Sequence, residues 1–204
     1  MKKKEPWINI LVFPVMTVLL AGSLFVHNRV VFSNPDAAMY RYLENARQGR
    51  VGYGFDDYYG NGISFADLEP GDIILGGYPG CAYGRFSHAG IYVGDNQVIE
   101  GYADLGVNTQ PVEHYREYHE VCLLRVKAPA PVKARAVEYV QSQQGGLFYP
   151  VAFKNGQRFW NCTKIMWKAY MESGVDLSTK EDFWVTPDEF YNSPWVSIIR
   201  EKRV

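Results

Sequence analysis

One cysteine in this sequence stands where a helix is predicted to begin. Cys162 follows Asn161, a residue that favours the N-cap position, and apolar residues then recur at helical spacing. A thiol in a first helical turn feels the positive end of the helix dipole and lies near unpaired N–H groups, which favours the thiolate and can hold an oxyanion. The pattern predicts either a nucleophile or, since free cysteines are often buried, a cysteine that only packs.

A histidine that could serve as its base opens a predicted hairpin. His88 begins the strand 87–94, which turns at Asp95-Asn96 and returns as the strand 97–102. A histidine can take a proton from a thiol and later return it to a leaving group. Taken alone, His88 fits a core histidine with satisfied hydrogen bonds better than a base, so the two residues have to be judged as a pair.

Composition indicates an ordinary globular protein. The chain has 204 residues, of which 47% are hydrophobic and 21% charged, and a net charge of −1, which argues against nucleic acid as the main partner. Three cysteines are too few for a disulfide scaffold and leave at least one thiol free. Cys81 is interpreted as a loop thiol, with a disulfide as the alternative, and Cys122 as a residue buried in a strand.

The N-terminus predicts a compartment. Lysines at 2–4 precede an uncharged run at 7–26, which as a helix would span about 30 Å, and only Arg29 follows closely. We therefore predict that 1–33 is a membrane anchor or, alternatively, a cleaved signal. Because the lysines favour an inside N-terminus, the domain at 34–204 is expected outside the cytoplasm.

Regular elements can be placed along the rest of the chain from spacing and turn residues. Strands are predicted at 72–75, 87–94, 97–102, 121–126 and 195–199, and helices at 37–48, 111–118, 131–144 and from Cys162 to a stop at Gly174. There is no internal repeat and no sign of a second folded domain.

These segments resemble a known superfamily. Residues 71–75, 87–94 and 98–100 are similar to the strand motifs of NlpC/P60 cysteine hydrolases, but 161–164 and 167–170 follow them instead of preceding them. This order resembles the circularly permuted YiiX/YebB-like branch. The resemblance implies an α+β fold, a permuted papain-like domain with an antiparallel sheet packed against helices.

The resemblance also implies an activity. Cys162 would attack an amide carbonyl, with His88 as base and acid, giving a thioacyl-enzyme of an amidase or peptidase that needs no cofactor. Its substrates would be peptides, cell-wall amides or acyl amides of the bacterial envelope. A thioesterase or lipid acyltransferase with the same chemistry, and an inactive binding module, remain alternatives. Where the branch carries serine and an acid, this chain has Thr163 and Lys164, which predicts a more basic cleft rim.

The third catalytic residue follows from the hairpin register and from the resemblance. A two-residue turn pairs Glu100 with Ile91 and points the carboxylate away from His88, whereas an odd-length loop or a bulge places both on one face. The superfamily carries a polar residue twelve positions after its histidine, which selects Glu100. A three-residue loop pairs Glu100 with Tyr92 and leaves Asp104 as a reserve; a surface glutamate is the alternative.

Metal binding is not expected from the remaining histidines. His114 and His119 lie five residues apart on a predicted surface helix without a third ligand, so we interpret both as solvated.

Overall fold

The computed structural model of the protein describes residues 6–29, 33–178 and 180–204. At its centre is a six-stranded antiparallel sheet with the strand order β4-β3-β2-β1-β5-β8. Its strands are β1 (Ile73–Gly77), β2 (His88–Gly94), β3 (Gln97–Tyr102), β4 (Gly106–Pro111), β5 (Glu120–Val126) and β8 (Val196–Arg203), while β6 (Leu147–Phe148) and β7 (Phe159–Trp160) form a small parallel pair. The predicted combination of an antiparallel sheet with helices is confirmed.

Helices cover one face of the sheet more completely than the other. The helices of the protein are α1 (Pro6–His27), α2 (Ala38–Arg47), a 3₁₀ helix (Val112–Glu117), α3 (Ala130–Ser142), α4 (Cys162–Glu172) and α5 (Pro187–Tyr191). Apolar residues of α3 and α4, such as Val140 and Ile165, share one core cluster with Leu75 of β1. On the opposite face, Tyr115 from the 3₁₀ helix packs with Ile74 in a second cluster. Alternation along β1 thus divides its side chains between two cores.

The β2–β3 hairpin combines a tight turn with a bulge. Asp95 and Asn96 both have positive φ (51° and 57°), as a two-residue type I′ turn requires, and the register shifts by one residue between Tyr92 and Gly94. Glu100 therefore pairs with Gly90. The predicted bulge is confirmed, whereas the three-residue loop, with Glu100 opposite Tyr92, is wrong because the turn stays tight and the extra residue is absorbed within β2.

The N-terminal helix α1 (Pro6–His27) has side chains described from residue 11 onward. Within that described part of the chain, no helix is both long and apolar enough to cross a bilayer. The anchor or cleaved signal in 1–33 stays a prediction, and the lysines at 2–4 lie outside the described residues.

Candidate active site

The nucleophile candidate occupies the first position of α4. Asn161 caps the helix as predicted, since its Oδ1 accepts hydrogen bonds from the Lys164 backbone N–H (2.8 Å) and the Thr163 hydroxyl (3.1 Å). The first N–H groups of a helix have no carbonyl partner within it, so the Cys162 N–H can face an oxyanion. At Gly101 in β3, a Cβ atom would lie 3.3 Å from the Cys162 nitrogen. Glycine there lets the strand approach the helix start.

The histidine and the predicted acid lie side by side on the face of the sheet that Tyr115 covers. His88 Nε2 lies 2.9 Å from Glu100 Oε2, and the Tyr115 hydroxyl donates to the same oxygen at 3.0 Å. Glu100 is fully buried. A Cβ atom at Gly90 would lie 2.5 Å from the Tyr115 oxygen and 3.1 Å from Glu100 Oε2. Glycine at that position therefore provides the space for the carboxylate, and the predicted placement of Glu100 beside the imidazole is confirmed.

The Cys162 thiol completes this row of groups. It is half-buried and close enough to His88 to raise the pKa of that imidazole, and since Nε2 is occupied by Glu100, Nδ1 is the ring nitrogen left for the sulfur. Burial alone lowers the pKa of His88, but the Glu100 charge and the Cys162 contact outweigh it and raise the pKa to about 10. Burial raises the pKa of Glu100, yet the charge of His88, its hydrogen bond and the nearby His114 ring lower it to about 2. The site thus favours an imidazolium beside a carboxylate.

Aromatic rings enclose the imidazole. The Tyr118 ring stacks on it with an interplanar angle of 5° at 6.0 Å, and the Tyr102 ring centroid lies 4.7 Å away. The hydroxyls of these two tyrosines are 3.1 Å apart. Burial raises the pKa of the Tyr115 and Tyr118 phenols well above the usual value, so they remain neutral. The enclosure limits rotation of the His88 ring and keeps bulk water away from it.

Two expectations about neighbouring residues need correction. His114 is not solvated: its side chain is 15% exposed, and its Nε2 lies 2.8 Å from Glu100 Oε1. His119 is half-buried and packs edge-on against Tyr59 at 5.2 Å. Both predictions were wrong because the spacing of histidines along one short helix does not show which residues of distant segments pack against them. Asp104 is exposed in the turn after β3, so Glu100 and not the reserve carboxylate contacts the imidazole.

Lys164 does not make the cleft rim basic, contrary to expectation. Lys164 is only 2% exposed. Its ammonium group turns towards the segment before α4 and donates hydrogen bonds to the Asn155 and Phe159 carbonyls at 3.2 and 3.0 Å. It also lies 5.3 Å from the Trp160 ring centroid. The lysine therefore ties the loop before α4 to the helix that carries Cys162.

Lys164→Met is expected to lower the free energy of unfolding by about 1–2 kcal/mol, because two carbonyls lose their donor. Denaturant unfolding checks this. Lys168→Met is the matched control: that lysine pairs with Glu172 near the surface of the same helix and should change stability by less than about 0.5 kcal/mol. Equal losses for both variants would contradict the assigned role.

The other two cysteines are free and buried. Cys81 therefore forms no disulfide, and the prediction that it is a loop thiol is confirmed. Burial raises the pKa of both Cys81 and Cys122 to about 12, so their thiols stay protonated at neutral pH. Only Cys162 combines access to a cleft with an imidazole partner.

Two cavities meet at Cys162. One, of about 410 Å³, has almost wholly apolar walls that include Met39, Tyr42, Tyr83, Trp184 and Val185. The other, of about 470 Å³, contains His88 and is more polar, with Asp56, Asp104 and Glu117 in its walls. Tyr53 and Phe148 border both. A substrate lying across the thiol would therefore meet two chemically different surfaces.

The part of the chain that the structure describes contains no group of three or more histidine, cysteine, aspartate or glutamate side chains arranged to hold a metal ion.

Comparisons with known proteins concern most of the folded region. A family model described as "Permuted papain-like amidase enzyme, YaeF/YiiX, C92 family" matches residues 67–194. No curated protein gives a significant match. The crystal structure described as that of the metalloprotein YiiX from Escherichia coli O157:H7 aligns with a TM-score of 0.56 and 14% identity, covering 67% of this chain and 98% of that one. At that identity the likeness concerns the fold.

Proposed function

Because the chain belongs to the permuted papain-like amidase family, we propose that it hydrolyses an amide bond with Cys162 as nucleophile, His88 as general base and acid, and Glu100 as the residue that orients the imidazole. Membership confirms the predicted permuted papain-like resemblance and the assignment as an enzyme. The observation that carries the residue roles is the row formed by the Cys162 thiol, the His88 ring and the buried Glu100 carboxylate.

In the proposed reaction, His88 Nδ1 already holds the proton taken from the thiol, and the Cys162 thiolate attacks the carbonyl carbon. The Cys162 N–H at the start of α4 supports the developing oxyanion. The imidazolium then gives its proton to the leaving nitrogen as the C–N bond breaks, which releases an amine and leaves a thioacyl-enzyme. Water, deprotonated by His88, attacks the thioester, and the acid and the free thiol are restored.

We assign the two halves of the proposed substrate to the two cavities. The leaving nitrogen must lie beside His88 to receive its proton, so the polar cavity that contains His88 takes the amine. The acyl group stays on Cys162 and extends into the apolar cavity. Asp56, Asp104 and Glu117 favour a polar or cationic amine over an acidic one.

Acyl transfer or thioester hydrolysis on a lipid-like acyl chain is the second candidate, and the apolar walls around Trp184 favour it. Both candidates pass through the same thioacyl-enzyme and differ in the bond broken and in the acceptor. A position outside the cytoplasm, and cell-wall peptides as the natural amide, remain proposals that rest on the N-terminal lysines and on the resemblance.

A series of chromogenic amides with lengthening acyl chains tests the assignment. We expect kcat/KM to rise with acyl length. Trp184→Ala should cut it about tenfold or more for the longest chain and little for acetyl, because a buried ring of the cavity wall is lost. Trp195, which is 47% exposed and outside both cavities, gives the control Trp195→Ala with an unchanged profile. A profile independent of acyl length would contradict the placement of the acyl group in the apolar cavity. Hydrolysis of matching thioesters alone would contradict the proposed amidase.

A further inference from the structure

The two oxygens of the buried Glu100 carboxylate have unequal surroundings. Oε2 accepts from the His88 ring and the Tyr115 hydroxyl, whereas Oε1 has no aligned hydrogen-bonding partner. Among the described residues, two buried side-chain polar atoms lack such a partner, and the second is His114 Nε2. These two atoms lie 2.8 Å apart, close enough to bond although not aligned on each other. A small rotation of either group would satisfy both.

We infer that His114 is a positioning residue that donates its Nε2–H to Glu100 Oε1 and so holds the carboxylate against His88. The inference rests on the proposed function, since it concerns how Glu100 orients the general base. His114 touches neither the thiol nor the substrate cavities, so it acts only through Glu100.

Hydrogen bonds at both Glu100 carboxylate oxygens would have two effects that hydrogen bonds at Oε2 alone cannot have. They fix the plane of the carboxylate, which otherwise can turn about its terminal torsion and carry Oε2 away from the ring. They also draw charge from Glu100, which weakens its hold on the imidazolium proton. The second effect matters for catalysis, because His88 must give that proton to the leaving amine.

The neighbours of the His114 ring leave Glu100 as its anionic partner. The His114 ring contacts Glu100 and Tyr102 of β3. It also contacts Tyr115 within the 3₁₀ helix and Tyr118 just after it. His88 of β2 contacts the same Glu100 carboxylate. The Tyr102, Tyr115 and Tyr118 phenols are neutral because burial raises the pKa of each. Glu100 is thus the charged group that faces the His114 ring.

The inference can be tested without a substrate. The measurement is the rate at which iodoacetamide alkylates Cys162, followed over the pH range in which the protein stays folded. The upper transition of that profile reports loss of the His88 proton. His114→Leu removes the donor, so Glu100 becomes a stronger base and the transition should move to higher pH by about half a unit to one unit. His114→Gln, which restores an N–H at a similar reach, should return it towards the wild-type position.

His119→Leu is the matched control, because that ring packs on Tyr59 and makes no contact with Glu100; its profile should coincide with that of the wild type. A folded His114→Leu protein with the wild-type profile, or a His114→Gln protein shifted as far as His114→Leu, would overturn the inference. A wild-type Cys162 that is no more reactive than an ordinary thiol at neutral pH would instead contradict the proposed function.

Imidazole nitrogen NMR of the wild-type protein provides a readout that needs no variant to fold. The inference requires a proton on His114 Nε2 at neutral pH. A bare Nε2 with the proton on Nδ1 alone would overturn it, whatever the reactivity of Cys162.

Discussion

Replacing Cys162 with alanine is expected to abolish amide hydrolysis, with a fall in kcat of about 10⁴-fold or more, because no other described side chain can form the thioacyl intermediate at the meeting point of the two cavities. The thiol is half-buried at a helix start that Asn161 already caps. The fold and the thermal stability should therefore change little, and circular dichroism with a melting curve checks this.

Cys81→Ala is the control for loss of a thiol. Cys81 is buried beside the Phe86 carbonyl, with its Sγ 3.9 Å from that oxygen, and has no place in the proposed reaction. That variant should keep its activity. Residual turnover by Cys162→Ala within about tenfold of the wild type would refute covalent catalysis by this residue.

Glu100→Gln is expected to lower kcat/KM by about 10²-fold and to change its pH dependence. The Glu100 charge raises the pKa of His88 to about 10 against the opposing effect of burial. In the wild type, activity that needs the imidazolium should persist through neutral pH and fall as pH approaches about 10. Glutamine keeps the shape but removes the charge, so the pKa of His88 falls and the alkaline limb moves to lower pH.

Glu120→Gln is the matched control for this prediction. Glu120, the first residue of β5, is also buried, but it pairs with Arg85 and not with a histidine. Its loss should reduce stability without moving the alkaline limb. If Glu100→Gln left that limb in place, the carboxylate would not set the basicity of His88.

Features set by neighbouring residues were predictable from the sequence. The start of α4 (Cys162–Glu172) follows from the Asn161 cap and the apolar spacing after it, because a cap and one helical face involve residues within a few positions. The tight turn at Asp95-Asn96 is equally local. The side of the sheet on which Glu100 lies could be predicted only with the help of the resemblance, because parity along a strand leaves two possibilities and the superfamily's spacing of twelve residues selects one.

Features set by distant parts of the chain were not predictable. The contact of His114 with Glu100 depends on how the 3₁₀ helix docks on β3, and nothing in the spacing of histidines along one short helix reports that. Lys164 was assigned to the rim because its carbonyl partners lie in an irregular loop and at the start of the two-residue strand β7, which spacing along α4 does not reveal. The edge strand β4 (Gly106–Pro111) was missed because its largely polar residues lack an apolar alternation.

The measurement that tests the central claim most directly is alkylation of the wild-type protein by iodoacetamide at neutral pH, with the modified residue identified by peptide mass spectrometry. A thiolate paired with His88 should react at least about tenfold faster than free cysteine. The adduct should fall on Cys162 alone, because burial raises the pKa of Cys81 and Cys122 to about 12. An unmodified Cys162, or one that reacts no faster than free cysteine, would contradict the account.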